Sequence, residues 1–283
     1  MTVKTVAVVG SGTMGLGIAH VAALGGFDTV LQDVSEPQLR KAVDTIKANL
    51  AKGVEKGKVP AADAESAIKR LRTATALAEA ATGADFAIEA VPEDLALKHR
   101  IFGELDRHAP GHAVLATNTS GLSITEIAAA TKRPSKVIGM HFFNPVHMMK
   151  LVEIVRGRET DEETTALTER VSAAMGKETV RVNESPGFVT SRMNALIGNE
   201  AFRMLEAGVA SARDIDKALK LGLNHPMGPF EMVDLVGLDV RLNILRHLQR
   251  TLGDLYRPSP IIEKLVAEGR LGKKVGKGVY DYP

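Results

Sequence analysis

The first 184 residues alternate short apolar runs, rich in β-branched residues, with longer stretches of helical composition. Such runs are typical of buried parallel strands, whose side chains meet helices on both faces of the sheet. The repeated strand–helix order predicts an α/β fold with a doubly wound, mostly parallel sheet of the Rossmann type. The predicted strands are Thr5–Val9, residues 29–33, Asp85–Val91, Ala113–Thr117 and Glu178–Val182.

Strand patterns disappear after the sequence NESPG at residues 183–187, which has the composition of a domain boundary. We therefore predict two domains, residues 1–184 and an all-α domain of residues 185–283. The apolar stripes of the second domain are wide, which suits a bundle that also packs on a partner. Its predicted helices are Phe188–Glu206, Ser211–Lys220, Met232–Leu252 and Ser259–Glu268.

The segment between Asp33 and Phe86 is too long for one crossover, and its composition predicts a helical-hairpin insertion at residues 36–72. The first helix is expected at Glu36–Gly57 and the second directly after Pro60. A single lysine here is most simply part of a solvated helix face, but together the lysines suit a polyanionic substrate group. The lysines are Lys41, Lys47, Lys52, Lys56 and Lys58.

The run from Gly139 to Val155 predicts two antiparallel strands joined by a tight turn, the second added at one edge of the sheet. His141 and Glu153 are equally far from His147, so antiparallel pairing about that centre places them opposite each other. A histidine held by a carboxylate has a fixed tautomer and acts as a general base. A structural histidine near a surface glutamate is the alternative interpretation.

A glycine-rich GxGxxG sequence at residues 10–15 follows the first strand and opens a helix ending at Leu24. In this context it predicts dinucleotide binding, with the phosphates at the helix N-terminus. Asp33 ends the next strand, where a carboxylate accepts from ribose hydroxyls and repels a 2′-phosphate, which favours NAD over NADP. A glycine-rich turn without a ligand is the alternative. The predicted contacts of this segment are Gly10, Gly12, Thr13, Met14, Gly15 and Leu16.

Polar residues follow two more strands at their carboxyl ends, where ligands bind in open α/β sheets. Glu93 and Lys98 are candidate cofactor neighbours, although an ordinary first helical turn also explains them. Ser120 is available for ligand contact, because a capping box beginning at Ser123 already caps the next helix. A basic glycine loop at residues 272–278 is either a flexible turn or a contact to phosphate or cofactor.

Composition excludes several classes of function. The 283-residue chain has a net charge of +2, 4% aromatic residues and no tryptophan, so neither nucleic acid nor a base-stacking platform is indicated. It has no cysteine, which rules out disulfides, thiolate catalysis and cysteine-bound metal. No run approaches the length of a membrane helix, and the N-terminus does not read as a signal peptide. We expect a cytoplasmic protein with no membrane partner and no metal.

Seven motifs in this order and spacing resemble the short-form 3-hydroxyacyl-CoA dehydrogenase family, and the similarity extends over essentially the whole chain. The motifs are GSGTMGLGIAH, EAVPED, ATNTS, GMHFFNPVHMMKLVEIV, SPGFVTSR, NHPMGPFEMVDLVGLD and GKKVGKGVYDY. The resemblance is strongest to bacterial members that act on 3-hydroxybutyryl-CoA. It implies NAD-dependent oxidation of an (S)-3-hydroxyacyl-CoA, with 3-hydroxybutyryl-CoA as the expected substrate, and the reverse reduction of the 3-ketoacyl-CoA. It also implies a homodimer made by the helical domain.

The resemblance further implies roles for individual residues. His141 would be the catalytic base, Glu153 its partner, and Ser120 a contact to both substrate and nicotinamide. Cofactor contacts would come from Glu93, Lys98 and Lys274, and coenzyme A contacts from Asn49 and Lys56, with Asn144 lining the substrate cleft. The chain departs from the family at Ser191, where asparagine is common. Three outcomes are open: a water bridges Ser191 to the substrate oxygen, Asn194 one helical turn further on supplies the amide, or the contact is dispensable. We favour the water bridge from Ser191.

Two rival functions remain at this stage. Two-domain NAD enzymes that act on a free β-hydroxyacid typically use a catalytic lysine on the helical domain, and the His141–Glu153 pair argues against that assignment. A non-enzymatic structural relative is the other rival, and the intact set of candidate residues argues against it.

Overall fold

The computed structural model describes residues 2–282. The chain forms two compact units, Met1–Ser185 and Pro186–Pro283. The predicted fold class is confirmed, because the first unit is built on a mostly parallel sheet with helices and the second is helical. Within residues 2–282, no helix combines the length and the apolar character needed to cross a membrane.

The sheet of the first unit has eight strands in the order β3-β2-β1-β4-β5-β6-β7-β8. Six strands, β1 to β6, run parallel, whereas β7 is antiparallel to β6 and β8 is parallel to β7. The strands are β1 Thr5–Val9, β2 Asp28–Gln32, β3 Leu71–Ala74, β4 Phe86–Glu89, β5 Val114–Thr117, β6 Val137–Phe142, β7 Leu151–Arg156 and β8 Glu178–Asn183.

The helices of the first unit cover the sheet, and α1 follows the glycine-rich turn directly. The central strands are apolar on both faces, and Val6, Val8, Phe86 and Ile88 are fully buried beside Ile18 of that helix. The helices are α1 Thr13–Leu24, α2 Glu36–Glu55, α3 Ala61–Arg70, α4 Leu77–Ala81, α5 Leu95–His108, α6 Ile124–Ala128 and α7 Glu162–Ala174.

Two features of the sheet differ from the sequence analysis. The segment at residues 36–72 ends in a strand that was not predicted, β3, which begins at Leu71 directly after α3. The strand of Glu153 was expected at the edge of the sheet, and that expectation is wrong, because β8 pairs with its outer side. Glu153 therefore lies between two strands and is fully buried.

The second unit is a bundle packed around Phe202, Phe230 and Leu245. The predicted helix at Met232–Leu252 is wrong as one element, because the chain turns at Gly237, whose φ is +108°. The first helix of the unit also begins two residues later than predicted, after Phe188. The helices are α8 Thr190–Glu206, α9 Ala212–Gly222, α10 Pro229–Val236, α11 Leu238–Leu252 and α12 Pro260–Ala267.

Candidate active site

A histidine–glutamate pair lies where β6 and β7 run side by side. The strands pair with His141 opposite Glu153, as the symmetric spacing about His147 predicted. Their side chains meet, with 2.6 Å between His141 Nδ1 and Glu153 Oε2. The predicted tight turn is wrong, because the strands are joined by a longer loop, residues 143–150, in which Asn144 is exposed.

Burial makes this pair electrostatically strong. Glu153 is fully buried and His141 is only 7% exposed, so little water screens the interaction. A carboxylate can only accept hydrogen bonds, so the Nδ1 atom of His141 carries the ring proton and donates a hydrogen bond to Glu153. The ring nitrogen Nε2 is then the basic atom of the imidazole. The ring of Phe143 lies 4.5 Å from the imidazole centroid and limits its orientation.

Glu93 holds the segment after β5 at the carboxyl edge of the parallel strands. The Glu93 carboxylate accepts hydrogen bonds from Thr119 Oγ1 at 2.6 Å and from the Ser120 backbone N–H at 2.9 Å. Ser120 Oγ is 3.3 Å from the same oxygen and remains exposed. Asn118 Oδ1 accepts from the Phe142 N–H at 3.0 Å, which ties this segment to the end of β6. The structure thus brings together the predicted residues Glu93 and Ser120.

Lys98 is buried beneath this cluster. Its ammonium group donates to both carboxylate oxygens of Glu89 at 2.7 and 2.9 Å, and lies 3.4 Å from Glu93 Oε2. Glu89 also accepts from Thr117 Oγ1 at 2.7 Å and is fully buried. The sequence analysis missed Glu89, although a carboxylate inside an apolar strand was the available signal. Lys98 acts here as a buried counter-ion that positions Glu93.

The glycine-rich turn leaves space for a ligand to approach the protein backbone closely. A Cβ at Gly15 would lie 1.7 Å from the Gly10 carbonyl oxygen, so the turn itself requires glycine there. Gly12 has ordinary backbone angles, and a Cβ at Gly12 would meet nothing within 4 Å. Its identity is therefore explained by a ligand that approaches closely, not by packing within the chain. Gly12 also caps α1 without a side-chain acceptor, which leaves first-turn N–H groups for phosphate oxygens.

Asp33 is fixed to this turn. Its Oδ2 accepts from the Ser11 N–H at 2.9 Å and the Ser11 hydroxyl at 2.8 Å, and its Oδ1 accepts from the Ser35 N–H at 3.0 Å. Partial burial by itself would raise the pKa of Asp33, but these hydrogen bonds outweigh it and lower the pKa. Asp33 is therefore ionised at neutral pH. A carboxylate has about four acceptor positions, so further hydroxyl donors can still bind.

A cavity of about 730 Å³ joins the glycine-rich turn and Asp33 along the carboxyl edge of β1, β2 and β4. Five of the predicted cofactor residues line it, namely Gly10, Gly12, Thr13, Met14 and Asp33. Within residues 2–282, none of the side chains lining it belongs to a lysine or an arginine. The cavity thus fits a dinucleotide whose ribose carries hydroxyls, and it offers no cation for a 2′-phosphate.

The remaining predicted residues lie elsewhere. Asn49 is half-buried on α2, and Lys56 is exposed at its C-terminal end. Ser191 and Lys274 belong to the second unit. Ser191 lies in the first turn of α8, and the Lys274 ammonium pairs with both carboxylate oxygens of Asp239 at 2.6 and 2.7 Å.

A second histidine cluster, which the sequence analysis missed, supports the loop between β6 and β7. His20 of α1 stacks on His147 with ring centroids 5.4 Å apart and an angle of 8° between the planes. Lys177 donates to the carbonyl oxygens of Val146 and Met149 in the same loop. Burial, with repulsion from His147 and Lys177, lowers the pKa of His20 to about 4.

Comparison with known proteins identifies the family of the chain. Residues 5–185 match the family model "3-hydroxyacyl-CoA dehydrogenase, NAD binding domain", and residues 187–282 match "3-hydroxyacyl-CoA dehydrogenase, C-terminal domain". A probable 3-hydroxybutyryl-CoA dehydrogenase of Bacillus subtilis is 47% identical over 100% of this chain and 98% of its own length. The 3-hydroxybutyryl-CoA dehydrogenase of Bradyrhizobium diazoefficiens is 43% identical over 99% of this chain and 96% of its own.

A solved structure shows the same similarity in three dimensions. The (S)-3-hydroxybutyryl-CoA dehydrogenase of Ralstonia eutropha superimposes with a TM-score of 0.96 at 41% identity, and the match covers 100% of both chains. Family models that together span both units, and relatives well above 30% identity over nearly the whole chain, establish the family. This chain is a member of the 3-hydroxyacyl-CoA dehydrogenase family and, as such, an NAD-dependent oxidoreductase.

Proposed function

We propose that this protein oxidises the 3-hydroxyl group of an (S)-3-hydroxyacyl-CoA, with 3-hydroxybutyryl-CoA as the leading substrate. The observation that carries the proposal is the buried 2.6 Å contact between His141 and Glu153, on the same unit as the dinucleotide cavity. Relatives named 3-hydroxybutyryl-CoA dehydrogenase, with 43–47% identity, support the substrate.

The reaction needs one proton acceptor and one hydride acceptor. His141 Nε2 takes the proton of the 3-hydroxyl as the C3–O bond becomes a carbonyl, and Glu153 stabilises the resulting imidazolium. NAD, when bound, accepts the hydride that leaves C3. In the reverse direction His141 returns the proton to the 3-keto oxygen. The Ser120 hydroxyl donates a hydrogen bond to the C3 oxygen of the substrate and thereby orients this oxygen toward His141.

Further contacts complete the proposal. Gly10 to Leu16 hold the pyrophosphate, and Asp33 accepts from the adenosine ribose. Glu93, Lys98 and Lys274 order the nicotinamide half, Lys98 through Glu93. The exposed Lys56 and nearby Asn49 receive the coenzyme A moiety, whose phosphates suit a cationic helix end. Asn144 and Ser191 contact the acyl part of the substrate.

We also propose a homodimer formed by the second unit. Several large apolar side chains of this unit are exposed, among them Leu221 at 76%, Leu223 at 66% and Leu235 at 52%. Exposed apolar groups at this density are typical of a surface that a partner covers. Sedimentation of the purified protein tests this part, and a monomer at micromolar concentration would contradict it.

An assay of NADH consumption tests the substrate class. The protein should reduce acetoacetyl-CoA with NADH at a kcat in the ordinary enzymatic range, roughly 1–10³ s⁻¹. Free acetoacetate should react far more slowly, because it lacks the coenzyme A binding energy that positions the keto group. Equal kcat/KM for the free acid and the thioester would contradict the proposal and favour a free-acid dehydrogenase.

A further inference from the structure

The loop of residues 143–150 carries two side chains to the proposed catalytic pair. The ring of Phe143 lies 4.5 Å from the imidazole of His141, and the exposed Asn144 follows it in the chain. Within this loop, every residue of which the structure describes, only Val146 is buried, with 2% of its surface exposed. A single buried side chain supplies little apolar burial, so the loop needs other contacts to keep one arrangement.

Val146 fits against helix α1 because residue 17 of that helix is a glycine. A Cβ at Gly17 would lie 2.8 Å from Val146 Cβ and 2.9 Å from Val146 Cγ2, well inside the contact distance of about 3.5–4.0 Å between two carbon atoms. Glycine weakens a helix interior relative to alanine, so a buried glycine in α1 indicates a packing requirement. The requirement here is room for the loop.

Lys177, which lies between α7 and β8, holds the backbone of the same loop. The residue is 8% exposed, and its ammonium group donates to the carbonyl oxygen of Met149 at 2.8 Å and to that of Val146. The N–H of the next residue, Glu178, donates to the carbonyl oxygen of Lys150 at 2.9 Å. Three carbonyl oxygens of the loop are therefore tied to the start of a strand, two of them by one side chain.

Stability of the core does not by itself explain a lysine at this position. Burial lowers the pKa of Lys177, and among residues 2–282 no carboxylate raises it again. The titratable groups that face it are His20 and His147, and the charge of Lys177 contributes to lowering the pKa of both. A buried cation without a carboxylate is costly, and an apolar side chain of similar volume is often as stabilising or more so. The lysine is better explained by its hold on the loop.

We propose that Lys177 is a positioning residue for the acyl-CoA substrate. Its role, which rests on the proposed function, is to keep the loop in the arrangement that presents Phe143 and Asn144 to the substrate beside His141. Without the ammonium group the loop samples other arrangements, and the acyl-CoA must restore the order when it binds. The loss therefore falls on the KM of the acyl-CoA, whereas kcat changes less because the bound substrate has already ordered the loop.

Steady-state kinetics with acetoacetyl-CoA and NADH test this role. Lys177→Met removes the ammonium group at similar volume and should raise the KM of acetoacetyl-CoA by about tenfold or more, the value of one hydrogen bond made by a charged group. The KM of NADH and kcat should stay within about threefold of the wild type. Lys150→Met, at an exposed lysine of the same loop, is the matched control and should leave all three within about twofold. An unchanged KM for acetoacetyl-CoA in Lys177→Met, or an equal rise for both substrates, would overturn the proposal.

Gly17→Ala disturbs the loop without changing Lys177, so it does not depend on the folding of Lys177→Met. Its methyl group must displace Val146, which carries the loop away from its place on α1. The KM of acetoacetyl-CoA should therefore rise in this variant as well, again with little change in the KM of NADH, since the cavity proposed for the dinucleotide is not lined by Gly17 or Val146. A Gly17→Ala enzyme with the wild-type KM for acetoacetyl-CoA would overturn the proposal.

Hydrogen–deuterium exchange measures the order of the loop without turnover. The N–H groups of Met148 and Met149 donate to the carbonyl oxygen of Pro145 at 2.9 and 3.0 Å. Their exchange should be about tenfold faster in Lys177→Met and in Gly17→Ala than in the wild type. Unchanged exchange in both variants would overturn the proposal, even in a fully active enzyme. A wild-type protein inactive on acetoacetyl-CoA, whose loop still loosens in Lys177→Met, would contradict the proposed function and not the hold of Lys177 on the loop.

Discussion

Replacing Glu153 with glutamine removes the charge of the proposed catalytic pair, His141 and Glu153, and keeps the shape of the side chain. The fully buried carboxylate lies 2.6 Å from His141 Nδ1, which places the two charge centres about 4 Å apart when the imidazole is protonated. At an effective dielectric constant of about 20 the attraction is about 4 kcal/mol, of which about half is felt when the proton is half transferred. The substitution should therefore cost roughly 2–4 kcal/mol of transition-state stabilisation.

This loss corresponds to a roughly 30- to 1000-fold decrease in kcat. Steady-state NADH consumption with acetoacetyl-CoA measures it, and NADH binding, followed by fluorescence, should be nearly unchanged because Asp33 and the glycine-rich turn are intact. Glu169→Gln is the matched control, since that glutamate forms a surface pair with Arg181. It should leave kcat within about twofold of the wild type. A Glu153→Gln enzyme with at least half the wild-type kcat would refute the electrostatic role.

Three further predictions follow from other parts of the structure. Asp33→Ala should narrow the preference for NADH over NADPH by relieving repulsion of the 2′-phosphate, and a wild-type enzyme that prefers NADPH would contradict this. Ser191→Ala should lower kcat/KM about tenfold, the value of one hydrogen bond, and Asn194→Ala should lower it less; the reverse order would assign the contact to Asn194. The folded-state pKa of His20, about 4, lies below its ordinary value of 6.5, so the unfolded chain binds more protons between these values. The free energy of unfolding should therefore fall by roughly 3 kcal/mol from pH 6.5 to pH 4. Urea titrations should show a smaller decrease in the His20→Leu protein than in the wild type. An equal decrease in both proteins would contradict the assignment of this pH dependence to His20.

The register of the His141–Glu153 pair was predictable because antiparallel pairing has two-residue periodicity and one centre of symmetry. The dinucleotide cavity was predictable for a similar reason, since the order strand, glycine-rich turn and helix fixes where phosphate binds. Both inferences rely on local sequence and on contacts between neighbouring elements of the chain.

Other features depend on contacts that sequence does not encode locally. The strand at Leu71–Ala74 is short, and two of its four residues are exposed, so it lacks an apolar run and forms only by pairing with β2. The helix break at Gly237 was hidden because its neighbours continue a helical apolar pattern. Lys98 was predicted as a cofactor neighbour, and only the fold places Glu89 and Glu93 around it.

The most direct test of the central claim compares wild-type and His141→Ala proteins in the oxidation of (S)-3-hydroxybutyryl-CoA by NAD. Replacing the proton acceptor should lower kcat by about 10²- to 10⁴-fold, the usual contribution of a general base. The affinity for NADH, measured on the same preparations, should change little, because the cavity that we propose for the dinucleotide is not lined by His141. A His141→Ala enzyme that keeps a kcat near the wild-type value would contradict the assignment of His141 as the catalytic base.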